Sequence, residues 1–600
     1  MLNIRFRNVL CRTLIVGAVL VSISTAQAGG AHFFGDPEQD DPALRAQANL
    51  RVDWTAREAP DPRHWIRFKI LGINDFHGQL SGRTVGGRPA GGAAVLASYL
   101  KNAAAQAPDG AFIVNAGDHV GASPPNAALL QDEPAIGVLN LLTNQHCGTR
   151  PQERSNPWCN VVGTLGNHEF DEGVAELKRL LAGGNHPNGP FLEDPWGGAR
   201  YPTIIANVVD NATGKTLLPP YVIKRIRGIG VGFVGAVLKE TPTIVTPSGV
   251  AGTRFLDEAD AINNQVQTLK RRGVRAIVVA LHQGTRQNSY LGPTHDDPQV
   301  LDGAIGDIVA RLDDEVDVVV SGHVHSFTNA LMPNANGQLI LVTQAFSAGT
   351  AYGDIELALD PRTRDVIHKS AAIVTTWGDE GPGLMPDAQV ADLVAHADAR
   401  VAPLVNRVVG QAAADITRAE SPAGESALGN LIADAQRAAM GTDIALMNPG
   451  GIRADIAAGE VTWGELFSVQ PFNNDLVRMT LTGGQIIALL DQQWAGQPFA
   501  RIMKPSGLSY TWRENDPATF ADNRVDPASI LINGAPLDPS ASYSVTVNSF
   551  MADGGDNFSV LTEGTNRVVG PVDLDALVDH IENLTQPFSA AIESRIARAP

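Results

Sequence analysis

The sequence predicts an α/β fold arranged in two domains, and three observations support this prediction. A chain of 600 residues is too long for a single hydrophobic core. Short apolar runs rich in Val and Ile alternate with amphipathic stretches, as in buried parallel sheets covered by helices. A segment rich in Gly and Pro, 377–386, then interrupts this alternation. The composition, 44% hydrophobic and 18% charged, is that of a globular protein.

The N-terminus has the pattern of a secretory signal peptide. Arg5, Arg7 and Arg12 accompany an apolar run, 14–23, that is too short to span a bilayer, and Ala26-Gln-Ala28 is a small-residue cleavage site. We therefore expect 1–28 to be a signal peptide and 29–65, which is polar and without periodicity, to be a disordered leader. The expected protein is secreted, either periplasmic or extracellular, and has no membrane anchor.

The first domain is predicted over 66–376. Its candidate helices include 174–181 and 259–271, and its candidate strands are 66–73, 111–115, 160–165, 203–207, 230–237, 276–281, 316–320 and 339–343. The linker 377–386 leads into a predicted connecting helix, 387–405, so that 377–405 joins the domains. A second, smaller α/β domain is predicted over 406–600.

Charge and cysteine content restrict the partners and the compartment. The formal net charge of −19 argues against duplex nucleic acid as a partner, but a small phosphorylated substrate remains compatible because metals can balance its charge locally. Of three Cys, Cys11 belongs to the signal peptide. Cys147 and Cys159 are close in sequence and would reach an oxidising compartment, so we predict one disulfide between them.

Five candidate strands each run into a loop that carries residues of metal-ligand type. One such His or Asn alone is more often structural, but five in succession predict a metal centre, because ligands bind beyond the carboxyl ends of strands in open α/β sheets. Carboxylate, amide and imidazole groups together suit Zn, Mn, Co or Fe rather than Ca. The candidate ligands are Asp75, His77, Asp118, Asn167, His282, His323 and His325.

These loops resemble the calcineurin-like metallophosphoesterases and, within them, the 5'-nucleotidase/UDP-sugar hydrolase family. The similarity extends over about 68–573 and includes four motifs of the second domain, namely Gly424-Glu-Ser-Ala-Leu-Gly-Asn430, Asn448-Pro-Gly-Gly-Ile-Arg453, Gln470-Pro-Phe-Asn-Asn474 and Asn548-Ser-Phe-Met-Ala-Asp-Gly-Gly-Asp556. The resemblance implies an α/β fold in which a four-layer-type metallophosphoesterase domain precedes a smaller α/β 5'-nucleotidase C-terminal domain that binds the substrate.

The resemblance also implies a role for each candidate residue. Two divalent metal ions are expected, with a metal-bound water as the nucleophile. One ion would be held by Asp75, His77, Asp118 and His325, and the other by Asp118, Asn167, His282 and His323. His168 and Asp171 would form a catalytic dyad. Substrate contacts would come from Asn448 and Arg453 on the phosphate side, from Phe472 and Phe550 around the base, and from Asp556 at the ribose.

The sequence departs from the family pattern in two places. Pro422 stands where some members have a further substrate-binding Arg. The stretch from Asp118 to Asn167 is long, and its extra residues include both Cys, so this insertion could border the active site.

The expected function is release of phosphate from nucleoside 5'-monophosphates and other small nucleotides. Alternatives are UDP-sugars or 2',3'-cyclic nucleotides as substrates, a thiosulfohydrolase-like relative, and a nucleotide-binding protein without catalysis.

Overall fold

A computed structural model describes residues 65–497, 499–514 and 524–599. The predicted signal peptide, 1–28, and nearly all of the predicted leader, 29–65, lie outside these residues. Within the described ranges, no helix combines the length and the apolar character that crossing a membrane requires.

The N-terminal region contains two large sheets and the helices that cover them. Its helices are α1 Ala93–Ala105, α2 Pro125–Ala128, α3 Glu133–Leu142, α4 Pro151–Arg154, α5 Gly173–Ala182, α6 Glu258–Arg271 and α7 Ala304–Arg311. Its strands are β1 Ile66–Ile73, β2 Arg83–Val85, β3 Arg88–Ala90, β4 Ala111–Asn115, β5 Val161–Thr164, β6 Thr203–Ile204, β7 Val208–Asp210, β8 Tyr221–Ile226, β9 Ile229–Val237, β10 Thr253–Phe255, β11 Ala276–His282, β12 Val318–Ser321, β13 Phe327–Pro333, β14 Leu339–Ala345, β15 Ala351–Asp360 and β16 Asp365–Thr375.

The two six-stranded sheets pack face to face. The first has the order β16-β15-β1-β4-β5-β6 and the second the order β13-β14-β12-β11-β9-β8. Phe68, Ile70, Phe233 and Val320 are among the buried side chains of the core between them. Alternate residues such as Leu71 point to the opposite face, where α1, α3 and α5 pack. On the second sheet, α6 and α7 cover the outer face. Helix, sheet, sheet and helix confirm the predicted four-layer fold.

The central strands run parallel, and this brings their carboxyl ends to one edge. β1, β4, β5 and β6 are parallel neighbours, as are β9, β11, β12 and β14. Their Val- and Ile-rich sequences are buried along their length, since helices or the other sheet cover both faces.

A connecting helix, α8 Ala388–Val405, packs on both regions of the chain. The side chain of Asp387 caps its first turn by accepting a hydrogen bond from the backbone N–H of Val390 at 3.2 Å. Asn126 of α2 donates to Asp398 of this helix at 2.7 Å. On the C-terminal side, a Cβ on Gly464 would collide with the Val405 side chain, so only glycine allows this close approach.

The C-terminal region forms a second α/β unit. Its strands are β17 Val408–Ala412, β18 Ile444–Met447, β19 Gly459–Thr462, β20 Asp475–Thr482, β21 Lys504–Ser506, β22 Leu508–Arg513, β23 Leu531–Ile532, β24 Ala535–Pro536, β25 Ser542–Asn548, β26 Thr565–Val572 and β27 Ile596–Ala599, and its helices are α9 Ala427–Met440, α10 Trp463–Val469, α11 Gly483–Asp491, α12 Ser549–Ala552 and α13 Asp573–Asn583. The main sheet has the order β21-β18-β25-β20-β26.

The part of the insertion that carries both Cys precedes β5 and lies at the edge opposite the strand carboxyl ends. Cys147 and Cys159 form a disulfide, as predicted. Cys159 precedes the first residue of β5, whereas Asn167 follows its last, so the loop does not border the candidate ligands. Lys224 instead anchors it, donating from its buried Nζ to the carbonyls of Arg154 and Asn156 at 3.2 and 3.0 Å.

Candidate active site

All seven candidate metal ligands lie at the carboxyl ends of strands, six of them in the loops that follow. The loops after β1, β4 and β5 come from the first sheet, and the loop after β12 comes from the second, while His282 is the last residue of β11. Backbone hydrogen bonds link the first two loops, because the N–H groups of Asp75 and His77 donate to the carbonyls of Gly117 and Asp118. The side chains therefore meet because of the sheet topology.

The backbone is in the left-handed region at five of these positions. The φ angles are 49° for Asp75, His77 and Asp118, 78° for His323 and 45° for His325. Residues other than Gly adopt this region at a cost of about 1–3 kcal/mol each, and such residues cluster at functional sites. The strain indicates that surrounding structure fixes the direction of these side chains.

Asp75, His77 and His325 form one cluster of potential ligand atoms. The Nε2 atoms of His77 and His325 are 3.0 Å apart, and Nε2 of His325 is 3.4 Å from Oδ1 of Asp75. Nδ1 of His77 donates to the carbonyl of Gly121 at 2.9 Å, which leaves its Nε2 free of a proton. At this distance either a proton on Nε2 of His325 or a cation must lie between the two nitrogens.

Asp118, His282 and His323 form a second cluster. Nε2 of His282 is buried and lies 3.0 Å from Oδ2 of Asp118, without a well-directed hydrogen bond. Its Nδ1 donates to the carbonyl of Ala116 at 2.8 Å. Nδ1 of His323 is 3.0 Å from Oδ1 of Asn167, which joins this group. Because Oδ2 of Asp118 is also 3.8 Å from Nε2 of His77, Asp118 lies between the two clusters.

The donor set fits two divalent cations. His–Zn bonds are about 2.0–2.1 Å long, so the 3.0–3.4 Å separations in the first cluster are typical of two ligands on one ion. Burial raises the pKa of Asp118, but the charges of His282 and His168 outweigh it and hold this pKa well below the usual range. Glycines keep the space open: a Cβ on Gly166 would collide with Asp118, and one on Gly322 would come within 2.9 Å of Asp75.

His168 and Asp171 are hydrogen-bonded beside the second cluster. Nδ1 of His168 lies 2.7 Å from Oδ2 of Asp171, and the backbone N–H of His168 donates to Oδ1 of Asp118 at 2.9 Å. Burial lowers the pKa of His168, but the negative charges of Asp171 and Asp118 raise it by more than burial lowers it, so the net shift is upward. The imidazole is therefore held in one orientation and favoured in its protonated form.

Glu169 supports the candidate ligand loops, a role that the sequence did not reveal. Its buried carboxylate accepts hydrogen bonds from the backbone N–H groups of Asp118 and His119, at 3.0 and 2.8 Å, and from that of Gly166. It thereby fixes the loop after β4 to the loop after β5. Its position between His168 and Asp171 in the sequence could have drawn attention to Glu169. Its hydrogen-bond partners in the loop after β4 could not be inferred, because that loop is distant in the sequence.

The C-terminal region brings Arg453 and Phe472 to the same edge. The ring of Phe472 stacks on His168, with centroids 5.8 Å apart and planes 18° apart, and the Arg453 guanidinium lies 5.9 Å from the centre of the Phe472 ring. Burial and the positive charge of Arg418 lower the pKa of Arg453 to about 10, while Asp118 and Asp171 oppose that shift. The predicted dyad and these two predicted substrate residues are thus neighbours.

Two further arginines accompany Arg453 and were not predicted. Arg418 donates to the carbonyl of Ile452 at 3.3 Å, next to Arg453 in the chain. Arg418 stands four residues before Pro422, and Pro422 occupies the position at which some family members have an arginine. Arg83 also lowers the pKa of Arg453, and two of its nitrogens donate to Oε1 of Gln79 at 3.0 and 2.7 Å.

Asn448, Phe550 and Asp556 form a separate group. The amide of Asn448, for which the resemblance implied a phosphate-side contact, donates to Oδ2 of Asp556 at 2.8 Å. The ring of Phe550 lies against Gly555, where a Cβ would come within about 2.5 Å of it. A Cβ on Gly450 would be 3.8 Å from Asn448, so this group borders the loop that leads to Arg453.

Two family models match the chain. Residues 68–327 match the calcineurin-like phosphoesterase model, and residues 408–563 match that of the 5'-nucleotidase C-terminal domain. Endonuclease YhcR of Bacillus subtilis is 34% identical over 90% of this chain, which spans 41% of that relative's length. Cell wall protein Lmo0130 of Listeria monocytogenes is 33% identical over 89% of the chain and 69% of its own length.

A solved structure agrees in fold. The 5'-nucleotidase precursor from Thermus thermophilus superimposes with a TM-score of 0.71 at 27% identity, covering 89% of this chain and 99% of that one.

Proposed function

The chain belongs to the calcineurin-like phosphoesterases that carry a 5'-nucleotidase C-terminal domain and is a metal-dependent phosphoric ester hydrolase, and from this premise we propose that it releases phosphate from nucleoside 5'-monophosphates. The position of Phe472 carries the proposal, because its ring lies nearly parallel to that of His168, with the ring centres 5.8 Å apart. An aromatic surface of the kind that stacks on bases therefore adjoins the reacting centre.

The proposed metal ligands are the residues of the two clusters. Asp75, His77, Asp118 and His325 would hold one ion, and Asp118, Asn167, His282 and His323 the other. When bound, two divalent ions supply Lewis-acid charge at phosphorus and acidify water to near-neutral pKa. The hydrogen bonds from Nδ1 of His77 and of His282 to backbone carbonyls orient both rings for this purpose.

His168 and Arg453 are the proposed groups that act on the phosphate. The protonated imidazole of His168, oriented by Asp171, would stabilise negative charge in the transition state or assist the leaving oxygen. The planar guanidinium of Arg453 can grip two phosphate oxygens. Arg418 and Arg83 add positive charge near it, which favours a negatively charged phosphate at this point even though the chain as a whole is acidic.

Substrate choice is assigned to the C-terminal domain. Phe472 and Phe550 would sandwich the base, and Asp556 would accept a hydrogen bond from the ribose. Stacking contributes about 1–3 kcal/mol per base and requires no particular base. The proposed activity is therefore broad across nucleobases.

A panel assay tests the proposal. Phosphate release would be measured for AMP, GMP, CMP, UMP, UDP-glucose, 2',3'-cyclic AMP, thiosulfate esters and p-nitrophenyl phosphate, before and after chelation and after addition of Zn²⁺, Mn²⁺, Co²⁺ or Fe²⁺. We expect the monophosphates to be the best substrates and activity to return with metal. Turnover of the cyclic nucleotide or the nucleotide sugar alone would contradict the proposal.

Phosphodiester hydrolysis is the second candidate. It is favoured by the 34% identity to a protein named endonuclease YhcR and by the three arginines near one site. A short single-stranded oligonucleotide, added to the same panel, separates the two candidates.

Export to an oxidising compartment is also part of the proposal. The Cys147–Cys159 disulfide supports it, because such bonds persist outside the cytosol. Cleavage after Ala28 can be checked by N-terminal sequencing of the exported protein.

A further inference from the structure

Asp556 is held by a set of side chains whose function the catalytic scheme leaves open. Its Oδ2 accepts from Asn448 at 2.8 Å, and its Oδ1 faces Nη1 of Arg501 at 3.6 Å. Both charged side chains are only 11% exposed. The carboxylate is therefore fixed from two sides.

Arg501 is itself fixed by the short segment that leads to it. Its Nη1 donates to Oε1 of Gln497 at 2.9 Å, and its guanidinium lies 4.8 Å from the centre of the Phe499 ring. A cation over an aromatic face is attracted by the ring and loses little freedom on further contact. Arg501 thus faces Asp556 as a rigid group.

The same segment also holds the backbone of Asp556. This residue has a φ of 57°, in the left-handed region that an Asp adopts at a cost. Nε2 of Gln497 donates to its carbonyl at 2.6 Å. Gln497 consequently binds both partners of the Arg501–Asp556 pair and couples their positions.

On the other side, Asn448 is aligned by Asn548. Nδ2 of Asn548 donates to Oδ1 of Asn448 at 3.0 Å, which directs the Asn448 amide towards Asp556. With one lone-pair direction taken by Asn448 and another facing Arg501, the remaining acceptor directions of the carboxylate are limited in number and fixed in space.

We propose that Arg501 is a positioning residue that makes the nucleoside site select a ribose with free hydroxyl groups. The inference rests on the proposed function, in which Asp556 is the ribose acceptor. A hydroxyl donating to a fixed carboxylate forms a charge-assisted hydrogen bond. An analogue that lacks the hydroxyl leaves one of the fixed acceptor directions of this buried carboxylate without a donor, and a buried acceptor is costly to leave unsatisfied.

The experiment compares adenosine, 2'-deoxyadenosine and 3'-deoxyadenosine binding by calorimetry, together with kcat and KM for their 5'-monophosphates. In the natural protein we expect the nucleoside lacking the contacted hydroxyl to bind about 10-fold or more weakly, as loss of a hydrogen bond to a charged group predicts. Arg501→Gln should bring the ratio of the dissociation constants of the deoxyribose and ribose nucleosides close to one. It should also raise the KM for AMP about 10-fold and change the kcat for AMP little. Arg501→Lys should restore part of the ratio.

Arg478→Gln is the control, since Arg478 is an exposed arginine of the same domain. Thermal melting verifies folding of each variant; if Arg501→Gln is unfolded, Gln497→Ala replaces it and should lower the ratio in the same way. An unchanged ratio in folded Arg501→Gln or Gln497→Ala overturns the inference. Absence of phosphate release in the natural protein overturns the proposed function instead, and the nucleoside binding series still decides the role of Arg501.

Discussion

At the scale of single residues, Asp118 has the largest predicted effect. Its carboxylate lies between both clusters and is 3.0 Å from His282 and 3.8 Å from His77. We expect Asp118→Asn to lower kcat by several orders of magnitude and to reduce bound metal, because a neutral amide cannot balance two dications. Elemental analysis and AMP turnover measure both effects. Asp317→Asn is the matched control, as a buried carboxylate away from the site, and normal metal content with normal turnover in Asp118→Asn would falsify the two-metal arrangement.

His168 should affect chemistry more than metal binding. Its Nδ1 is engaged by Asp171, and the residue is outside the proposed ligand set. We expect His168→Ala to lower kcat about 10²–10⁴-fold, the usual contribution of a positioned proton-transfer group. Metal content by elemental analysis should stay near that of the natural protein. If metal were lost in proportion to activity, His168 would belong among the ligands.

At the scale of elements, the disulfide loop should contribute stability without affecting catalysis. The loop lies at the amino end of β5, away from the ligands, and the bond closes a segment for which the chain-entropy model gives roughly 3 kcal/mol. We expect Cys147→Ser to lower the midpoint of thermal unfolding by a few degrees and to leave kcat and KM for AMP unchanged. Thiol titration of the unfolded, unreduced natural protein should find no free thiol among its exported residues; two would exclude the bond.

The start of β12 should show a pH-dependent contribution to stability. Asp317 is buried, its Oδ2 accepts from the N–H of Ile277 at 3.0 Å, and burial raises its pKa to about 7. Because the folded pKa exceeds the unfolded value of 3.8, the stabilising contribution is complete below pH 3.8 and is lost as the pH rises through about 7. We expect the melting temperature of the chelated protein to fall, relative to Asp317→Asn, between pH 4 and pH 8. Parallel curves for the two proteins over this range would show that Asp317 does not titrate there.

Elements were more predictable from sequence than contacts between them. The predicted strand 66–73 and connecting helix 387–405 match β1 and α8 closely, because the sequence patterns that mark them are local. The candidate ligand loops were also recognisable, since each candidate ligand stands at or just after the end of a strand. The contacts of Glu169 and Arg501 were not, because they join segments whose proximity arises only in the folded chain. The position of the insertion was misjudged for the same reason.

At the scale of the whole molecule, the candidate site combines predicted catalytic residues of one domain with predicted binding residues of the other. Phe472 reaches His168 across this division, and Phe550 lies beside the Asp556 group. We expect Phe550→Ala to raise the KM for AMP, and Phe472→Ala to do so more mildly, because stacking is lost only when a base is present. Steady-state kinetics with AMP and p-nitrophenyl phosphate measure this selectivity. Equal losses of activity on the two substrates would show that both rings have a purely structural role.

The glycines that line the ligand loops also determine which heritable changes the protein can survive. Gly117, Gly166 and Gly322 carry no reactive atom, yet a Cβ at any of them would strike the backbone or a side chain of the proposed metal site. Every missense change in a glycine codon adds at least that carbon. Inactivating alleles should therefore arise at these three codons as readily as at the codons for the proposed ligands. Every missense mutation at these codons should impair the protein severely.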